Sequence, residues 1–581
     1  MRKLRVFLLL FIAAAAKPAW AASSPGDATF DQLQKHFLAG YLAWRPSMAV
    51  ALGFHEFDGR LTDFSAASIA AERARLRQYD ERLARLDPAS LGPAARYDYR
   101  ILRAAVQKDL FTFDDAQAYS RDPMVYANAL DVNTYLKRDF APLEQRARSI
   151  VSVLNQAPRV TAAARTNLAP VLPRPLVETA IEVADGARAF LEKDLVLALK
   201  ELKNEGLRAE FTAANQRAIA EWQAYAAFLK TEKLPRATNG FALGRAKFAK
   251  LLQQTELVPL PPERVLEIGL KELRREQQLF AETAARIDPT KQPIEVFQAI
   301  QHEHPTADGL IPDTRKSLEA IRQFVVEHRI VTIPSEVRPR VEETPAYDRA
   351  TSFASMDTPG PFETKATTAY YYVTPVESEW PAAQKEEWLT AFNYFTTDVV
   401  SIHEAYPGHY VQFLCLSASP ANRLEKILGS YAFVEGWAHY TEQMMIEQGF
   451  GGTNDPVRAA KFHLAQLDES LLRLCRLCVA IQMHCQGMTV DEGTRFFQDH
   501  CYYEAKPARQ EAMRGTFDPG YLNYTLGKLM LLKLRADYAR QEGASFSLGK
   551  FHDEVLRHGM PPVPLLRELL LKDSQSWGDL L

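Results

Sequence analysis

The stretch VVSIHEAYPGHYVQF, residues 399–413, places two histidines and a glutamate directly after an apolar helical stripe. The stripe belongs to a helix predicted to start near Pro381, and its members recur at spacings of three and four residues: Trp388, Phe392, Phe395, Val399 and Ile402. Such spacing defines a buried face. Because buried polar groups cost free energy unless they are paired or bind a metal, this segment predicts a functional site at the end of a core helix.

His403, Glu404 and His409 are the residue types of a catalytic zinc site. Zinc in such sites takes three protein ligands, commonly two histidines and a glutamate, and a nearby free carboxylate acts as base. We therefore predict that His403 and His409 bind one zinc ion and that Glu404 is the general base. The alternative is that both histidines are capping or core residues near a helix break.

The spacing of the two histidines sets a condition on this site. In the HExxH pattern the histidines are four residues apart on one helix face, whereas here they are six apart. Six steps of about 100° turn His409 by about 240° from His403, so an unbroken helix could not direct both at one metal. Pro407 removes a backbone donor and Gly408 tolerates unusual backbone angles, so this pair is predicted to interrupt the helix.

A second helical segment, LEKILGSYAFVEGWAHYTEQMMIEQG at residues 424–449, has an unusually acidic face. Glu435 lies 26 residues after His409, on the next helix, where a two-histidine site would find its third ligand. Glu442 lies two turns further on, where it could orient a ligand imidazole. Solvated surface glutamates are the alternative, although the flanking aromatic residues favour burial. His439 is a competing ligand.

The segment FDPGYLNYTLGKLMLLKLR, residues 517–535, repeats polar side chains on one helical face, namely Tyr521, Tyr524, Lys528 and Arg535. A tyrosine hydroxyl can stabilise the oxyanion that forms when water adds to a peptide carbonyl, and a cation can hold a substrate carboxylate. Tyrosines are equally often core residues with a polar tip, and that alternative stays open.

The remaining sequence predicts a large, mainly α protein. Of 581 residues, 47% are hydrophobic and 24% charged, as in ordinary globular proteins. Successive amphipathic patterns predict a helical N-terminal lobe over residues 22–330. β-branched and aromatic residues between 330 and 381 predict a small sheet beside the active-site helix, within a catalytic lobe of residues 331–581. The fold class is a two-lobed, zincin-like helical fold.

The first 21 residues have the features of a cleavable secretory leader, with a basic start, a short apolar stretch and small residues at 19 and 21. Because residue 22 is alanine and not a lipid-anchored cysteine, we expect a soluble periplasmic or secreted product without a membrane partner. The net charge of -3 and the lack of a basic run with aromatic residues argue against nucleic acid as a partner. The helical spacing of Cys475 and Cys478 favours burial over metal binding.

Three motifs in one order, HEAYPGH at 403–409, FVEGWAHYTE at 433–442 and DPGYLNYTLGKL at 518–529, carry a resemblance over nearly the whole mature chain. The sequence resembles domain-of-unknown-function family 885, a bacterial family of exported proteins regarded as candidate zinc metallopeptidases. More distantly, it is similar to helical oligopeptidases of the thimet and angiotensin-converting type.

The more distant likeness implies Glu435 as third ligand, Glu404 as general base and Tyr524 as the oxyanion partner. It also implies that residues 369–372, which include Tyr371, form an edge strand that pairs with an extended peptide. Two features depart from these patterns, namely the histidine spacing and Tyr521, where the family is expected to have glutamine.

These observations together predict zinc-dependent hydrolysis of peptide bonds, with a peptide as the substrate. One alternative is a periplasmic binding protein that uses a helical cleft without catalysis. Another is a metal-dependent hydrolase that acts on non-peptide amides or esters. The sequence sets neither the substrate length, nor the position of cleavage, nor the oligomeric state.

Overall fold

A computed structural model describes residues 24, 26–345, 349, 353–452, 455–572 and 579–581 of the chain. The predicted leader and Ala22 lie outside the described residues. Within the described part the chain is mainly helical with one small sheet, which confirms the predicted mainly α class. Across the same residues, no helix combines the length and apolar character that a membrane span requires.

Amphipathic helices make up the described chain before residue 330, as their apolar periodicity predicts. Proline in the first turn starts several of them, where its missing N–H costs nothing. They are α1 (Asp27–Trp44), α2 (Pro46–Ala51), α3 (Ala66–Arg85), α4 (Pro93–Asp114), α5 (Ala118–Arg121), α6 (Met124–Ala127), α7 (Asn133–Lys137), α8 (Leu143–Leu154), α9 (Ala157–Asn167), α10 (Arg174–Glu192), α11 (Asp194–Ala198), α12 (Glu205–Phe228), α13 (Arg245–Thr255), α14 (Pro262–Ile287), α15 (Pro293–Gln301) and α16 (Leu310–Glu327).

A three-stranded sheet follows, made of β1 (Arg340–Glu343), β2 (Ala354–Asp357) and β3 (Tyr370–Val373). Its strand order is β1-β3-β2, with β1 parallel and β2 antiparallel to β3. The strand at 370–373 is therefore central, and the prediction that it forms an edge was wrong. Local sequence pattern identifies a strand but carries no information about its neighbours, so the order of strands could not be read from it.

Helices return after the sheet and continue to the C-terminal region. They are α17 (Ala382–Ala391), α18 (Tyr394–Glu404), α19 (His409–Ala418), α20 (Arg423–Ile427), α21 (Tyr431–Glu447), α22 (Pro456–Cys485), α23 (Val490–Cys501), α24 (Ala505–Phe517), α25 (Asn523–Glu542), α26 (Leu548–Leu556) and α27 (Val563–Leu570). The helix predicted from Pro381 is in fact two, because the Asn393 side chain accepts a hydrogen bond from the Thr396 N–H and starts α18 anew.

Two helix pairs hold the centre of the molecule. α14 packs along α22, and α21 packs along α25. The second pair is in backbone contact, since a Cβ at Gly436 would lie 2.5 Å from the Gly527 Cα, and a Cβ at Gly527 would lie 1.8 Å from the Ala432 carbonyl oxygen. Only glycine fits at both positions, and the close approach brings the polar residues of α25 beside those of α21.

The hydrophobic core is continuous across residue 330. One cluster contains Leu273 and Phe280 of α14 together with Leu467 and Leu474 of α22. A smaller cluster joins α1, α3 and α4 to α20 and α27. The predicted division near residue 330 therefore does not separate two hydrophobic cores. Cys475 and Cys478 are fully buried in α22, as their helical spacing predicts.

Candidate metal centre

The helix that carries His403 is interrupted where the sequence predicts it. α18 ends at Glu404, and α19 begins at His409. The Trp437 indole N–H donates to the Pro407 carbonyl at 3.0 Å and ties the break to α21. Gly408 is required by close approach, since a Cβ there would lie 1.7 Å from the His403 carbonyl oxygen. The backbone angles of Gly408, φ -67° and ψ -133°, also lie outside the main allowed regions, as the sequence predicts.

The break brings His403 and His409 together with Glu435. Their imidazole rings lie 4.9 Å apart between centroids, with the ring planes at 89°. The Nε2 atoms of the two histidines lie 3.6 and 3.5 Å from the Glu435 Oε2 atom. One nitrogen from each ring and one carboxylate oxygen fall within 4.8 Å of one another, a spacing that could hold a metal ion.

Glu435 has the electrostatic character of a ligand. Its Oε2 atom is buried and has no hydrogen-bond partner among the described residues. Burial by itself raises the pKa of this carboxyl, but the nearby imidazoles of His403 and His409 lower that pKa far below its usual range. The oxygen is therefore ionised and unsatisfied, as a metal-binding carboxylate must be before the metal arrives.

The residues fit a zinc ion on their chemistry. Two imidazole nitrogens and one carboxylate oxygen are the ligand set of many catalytic zinc sites, which leave a fourth position for water or substrate. The side chains of His403, His409 and Glu435 are 7, 12 and 19% exposed, so the centre is largely enclosed but is reached by solvent.

Glu442 lies behind His403 and holds it. Its Oε1 atom is 2.6 Å from the His403 Nδ1 atom, and its Oε2 atom is 3.0 Å from the His439 Nδ1 atom. Burial favours a low pKa for His403, yet the carboxylates of Glu435 and Glu442 raise that pKa to about 9. His439 lies on the far side of Glu442, and the cluster with metal-ligand geometry in the described chain does not include it.

Glu404 lies between the metal ligands and the sheet. Its Oε2 atom accepts a hydrogen bond from the Met356 N–H at 3.3 Å, and its side chain is half-buried. Met356 belongs to β2, which is an edge strand of the sheet. Tyr371 of β3 is instead buried, and its hydroxyl is 3.1 Å from the Ser401 hydroxyl oxygen. The predicted substrate contact of Tyr371 is thus replaced by a core contact beneath the metal helix.

Tyr524 of α25 approaches the centre from the opposite side. Its ring centroid lies 6.4 Å from that of His403. Three guanidinium groups surround the same ring at 5.8, 5.2 and 5.9 Å, those of Arg473, Arg476 and Arg514. Sequence reasoning missed these arginines, because Arg473 and Arg476 flank Cys475 in a segment interpreted only as buried helix, and Arg514 lies outside the motifs.

The other polar residues of α25 and its first turn do not face the metal centre. Tyr521 is fully buried, with its hydroxyl packed against Gly515. The Lys528 ammonium is also buried, 3.2 Å from Glu276 and 2.8 Å from the Ser470 hydroxyl. Burial removes the predicted substrate contact of both residues.

Arg535 is engaged elsewhere on α21. Its guanidinium donates to the Tyr440 hydroxyl at 3.2 Å and to Glu447 at 2.7 Å. The shared helical face predicted for these residues is real, but it packs against neighbouring helices instead of lining a cleft.

Comparison with known proteins identifies the family of this chain. Residues 46–570 match the family described as "Bacterial protein of unknown function (DUF885)". The chain belongs to this family. No curated protein matches the chain. The DUF885 assignment confirms the resemblance seen in the sequence, while the family description assigns no activity.

Two solved structures share the DUF885 chain's fold. One is a candidate lipoprotein of unknown function from Shewanella oneidensis, with 24% identity, a TM-score of 0.77, and coverage of 94% of this chain and 100% of that one. The other, a candidate lipoprotein from Colwellia psychrerythraea, has 19% identity, a TM-score of 0.74, and coverage of 94 and 99%. Their description is compatible with export but contrasts with the soluble product expected from Ala22.

Proposed function

We propose that this protein is a zinc-dependent hydrolase of peptide bonds. The observation that carries the proposal is the convergence of His403, His409 and Glu435 around a buried carboxylate oxygen without a hydrogen-bond partner. An unsatisfied buried charge is costly, so its retention at the meeting point of two imidazoles supports a role as a metal ligand.

His403, His409 and Glu435 would hold the zinc ion. Zinc at such a site lowers the pKa of a bound water and polarises a carbonyl group. Glu404 would take a proton from the attacking water and pass it to the leaving amine. The Met356 N–H holds the Glu404 carboxylate at 3.3 Å and so orients it.

Tyr524 supplies a neutral hydroxyl on the other side of the centre. Burial and the charge of Glu435 raise the pKa of this tyrosine, although nearby arginines oppose the shift. The hydroxyl therefore keeps its proton at neutral pH and can donate it in a hydrogen bond to the carbonyl oxygen of the scissile peptide as charge develops there.

The edge strand β2 supports an extended substrate. The Thr374 N–H donates to the Phe353 carbonyl, so in this antiparallel pair the backbone groups of Ala354 and Met356 point away from β3. These groups face the Glu404 side of the sheet, where an extended peptide could add as a further strand. Backbone pairing of this kind favours a peptide over a compact ester or amide.

The decisive experiment compares Glu404→Gln and Glu435→Gln in the full chain. We expect Glu404→Gln to retain about one zinc per chain and to lose at least about 100-fold in cleavage of a short-peptide library, because the base is removed and the ligands are kept. Glu435→Gln should lose both zinc and cleavage. Glu387→Gln, an exposed glutamate on α17, is the matched control and should change neither.

Three results would overturn the proposal. Full peptidase activity in Glu404→Gln removes the proposed base. A metal-free wild-type protein that binds peptides without cleaving them identifies a binding protein. Zinc-dependent turnover of simple esters or amides, with no cleavage of any peptide in the library, identifies a metal-dependent hydrolase of non-peptide substrates.

A further inference from the structure

A cavity of about 670 Å3 lies between α16 and β1, on the Tyr406 side of the metal loop. We call it the α16–β1 cavity. Its apolar surface comes from Leu318, Pro339, Val341 and the Tyr406 ring. None of its lining residues is a proposed zinc ligand, and its volume is that of a site for a small organic molecule.

Arginine dominates the polar lining of this cavity. Arg315, Arg338 and Arg340 line it together with Glu319 and Glu342, which leaves an excess of one positive charge. Arg338 pairs with Glu319 at 3.0 Å, and Arg315 donates to the Val341 carbonyl at 2.9 Å. The Arg340 side chain makes no hydrogen bond or ion pair with the described residues, so its guanidinium remains available to a ligand.

Tyr406, which lines the cavity, and Arg322, which lies outside its lining, each have one buried polar atom without a hydrogen-bond partner among the described residues. The Tyr406 side chain is 1% exposed, and its hydroxyl has no hydrogen-bond partner in the part of the chain that the structure describes. The Arg322 Nε atom, which is also buried, has none either. The charges of Arg322 and Arg338 act on the Tyr406 hydroxyl, so these groups are close together. Buried donors without acceptors are uncommon and costly, and together they call for an acceptor supplied from outside the chain.

We propose that the α16–β1 cavity binds a small organic carboxylate with an apolar body. The carboxylate would accept hydrogen bonds from the Tyr406 hydroxyl and from the arginines, which suit the planar, two-oxygen geometry of that group. The apolar part of the ligand would lie on Leu318 and Val341. This site does not depend on the proposed zinc chemistry.

The outer edge of β1 narrows the ligand class further. The amides of Arg340 and Thr344 point to β3, so those of Val341 and Glu343 point to the opposite side. A ligand with an amide group next to its carboxylate could use this edge as well. N-acylated amino acids and short peptides with a free C-terminus have that chemistry.

Calorimetry on the full chain tests the site with benzoate and its neutral analogue benzamide. Wild-type protein should bind benzoate at least about 10-fold more tightly than benzamide, since charge-assisted bonds are lost with the amide. Tyr406→Phe and Arg340→Gln should each weaken benzoate binding by at least about 5-fold. Arg495→Gln, an exposed arginine on α23, is the matched control and should leave benzoate affinity unchanged.

Glu435→Gln separates this site from the metal centre and should also leave benzoate affinity unchanged. Equal affinity for benzoate and benzamide, or unchanged benzoate affinity in both Tyr406→Phe and Arg340→Gln, overturns the proposal. Loss of benzoate binding in Glu435→Gln would place the ligand at the metal centre and overturn it as well. Arg340 is exposed and without a partner, so its variant keeps the test valid if Tyr406→Phe fails to fold.

Discussion

Two glutamates on α21 face the same histidine from two sides and differ in how their oxygens are used. The side chain of Glu435 is 19% exposed, and its Oε2 atom has no hydrogen-bond partner within the described chain. The side chain of Glu442 is 0% exposed, and each of its oxygens contacts an imidazole nitrogen, at 2.6 and 3.0 Å. Glu435 thus keeps an oxygen free for a ligand, whereas Glu442, two turns away, uses both oxygens to hold imidazoles in place.

The two glutamates differ in how many partners their carboxylate oxygens have. Glu442 also lies 3.5 Å from the Arg473 guanidinium, so with Glu469 it balances the charge of a buried cation. Glu435 has only the two imidazoles that would share its metal. A carboxylate whose bonds are all made stabilises the fold, whereas one with a free oxygen is available for chemistry.

The largest expected effect is on stability. Glu442→Leu should lower the free energy of unfolding of the metal-free protein by about 3–5 kcal/mol, because it leaves two buried imidazoles without their carboxylate and leaves Arg473 with Glu469 alone. Glu435→Leu is the matched control on the same helix and should cost less than half as much. Urea denaturation followed by circular dichroism measures both values, and equal losses would erase the distinction between clamp and ligand.

Much of this site could be predicted from sequence. Pro407 and Gly408 predicted the helix break. The aromatic residues next to Glu435 predicted that this glutamate is buried on the next helix. Both signals are local, since they depend on backbone chemistry and periodicity within one segment. The mainly α fold was predictable for the same reason.

What the sequence did not disclose depends on tertiary packing. β3 became the central strand because of the strands on either side of it, and no local pattern carries that order. Tyr521 and Lys528 share a helical face as predicted, but the neighbouring helices bury that face. In the sequence, Arg473 and Arg476 only flank the buried Cys475 of α22. Tertiary packing brings their guanidinium groups to Tyr524.

A smaller effect is expected from acid. Burial, reinforced by Lys528, lowers the pKa of His439 from 6.5 to about 3, against the pull of Glu442. Below pH 6.5 the unfolded chain therefore takes up a proton at this residue while the folded chain does not, so stability falls as the pH falls towards 3. At pH 5 the loss from His439 is about 2 kcal/mol relative to pH 7.

His439→Gln should remove this part of the pH dependence. In the metal-free protein, the fall in unfolding free energy between pH 7 and pH 5 should be smaller by about 2 kcal/mol than in the wild type. His403 shifts in the opposite direction, so only the difference between the two proteins isolates His439. His36→Gln, at an exposed position, is the control. Parallel pH profiles for wild type and His439→Gln would show that burial does not hold His439 in its neutral form.

The smallest expected effect is on zinc affinity and concerns how firmly His409 is oriented in comparison with His403. His409 Nδ1 lies 3.5 Å from the Gln412 Oε1 atom, whereas His403 Nδ1 lies 2.6 Å from a Glu442 oxygen. A long contact with a neutral amide orients an imidazole weakly, so Gln412→Met should reduce zinc affinity by less than about 3-fold. Glu442→Gln should reduce it by about 10-fold or more. Competition with a chromogenic chelator measures both, and a loss in Gln412→Met as large as that in Glu442→Gln would mean that the two histidines are held equally firmly.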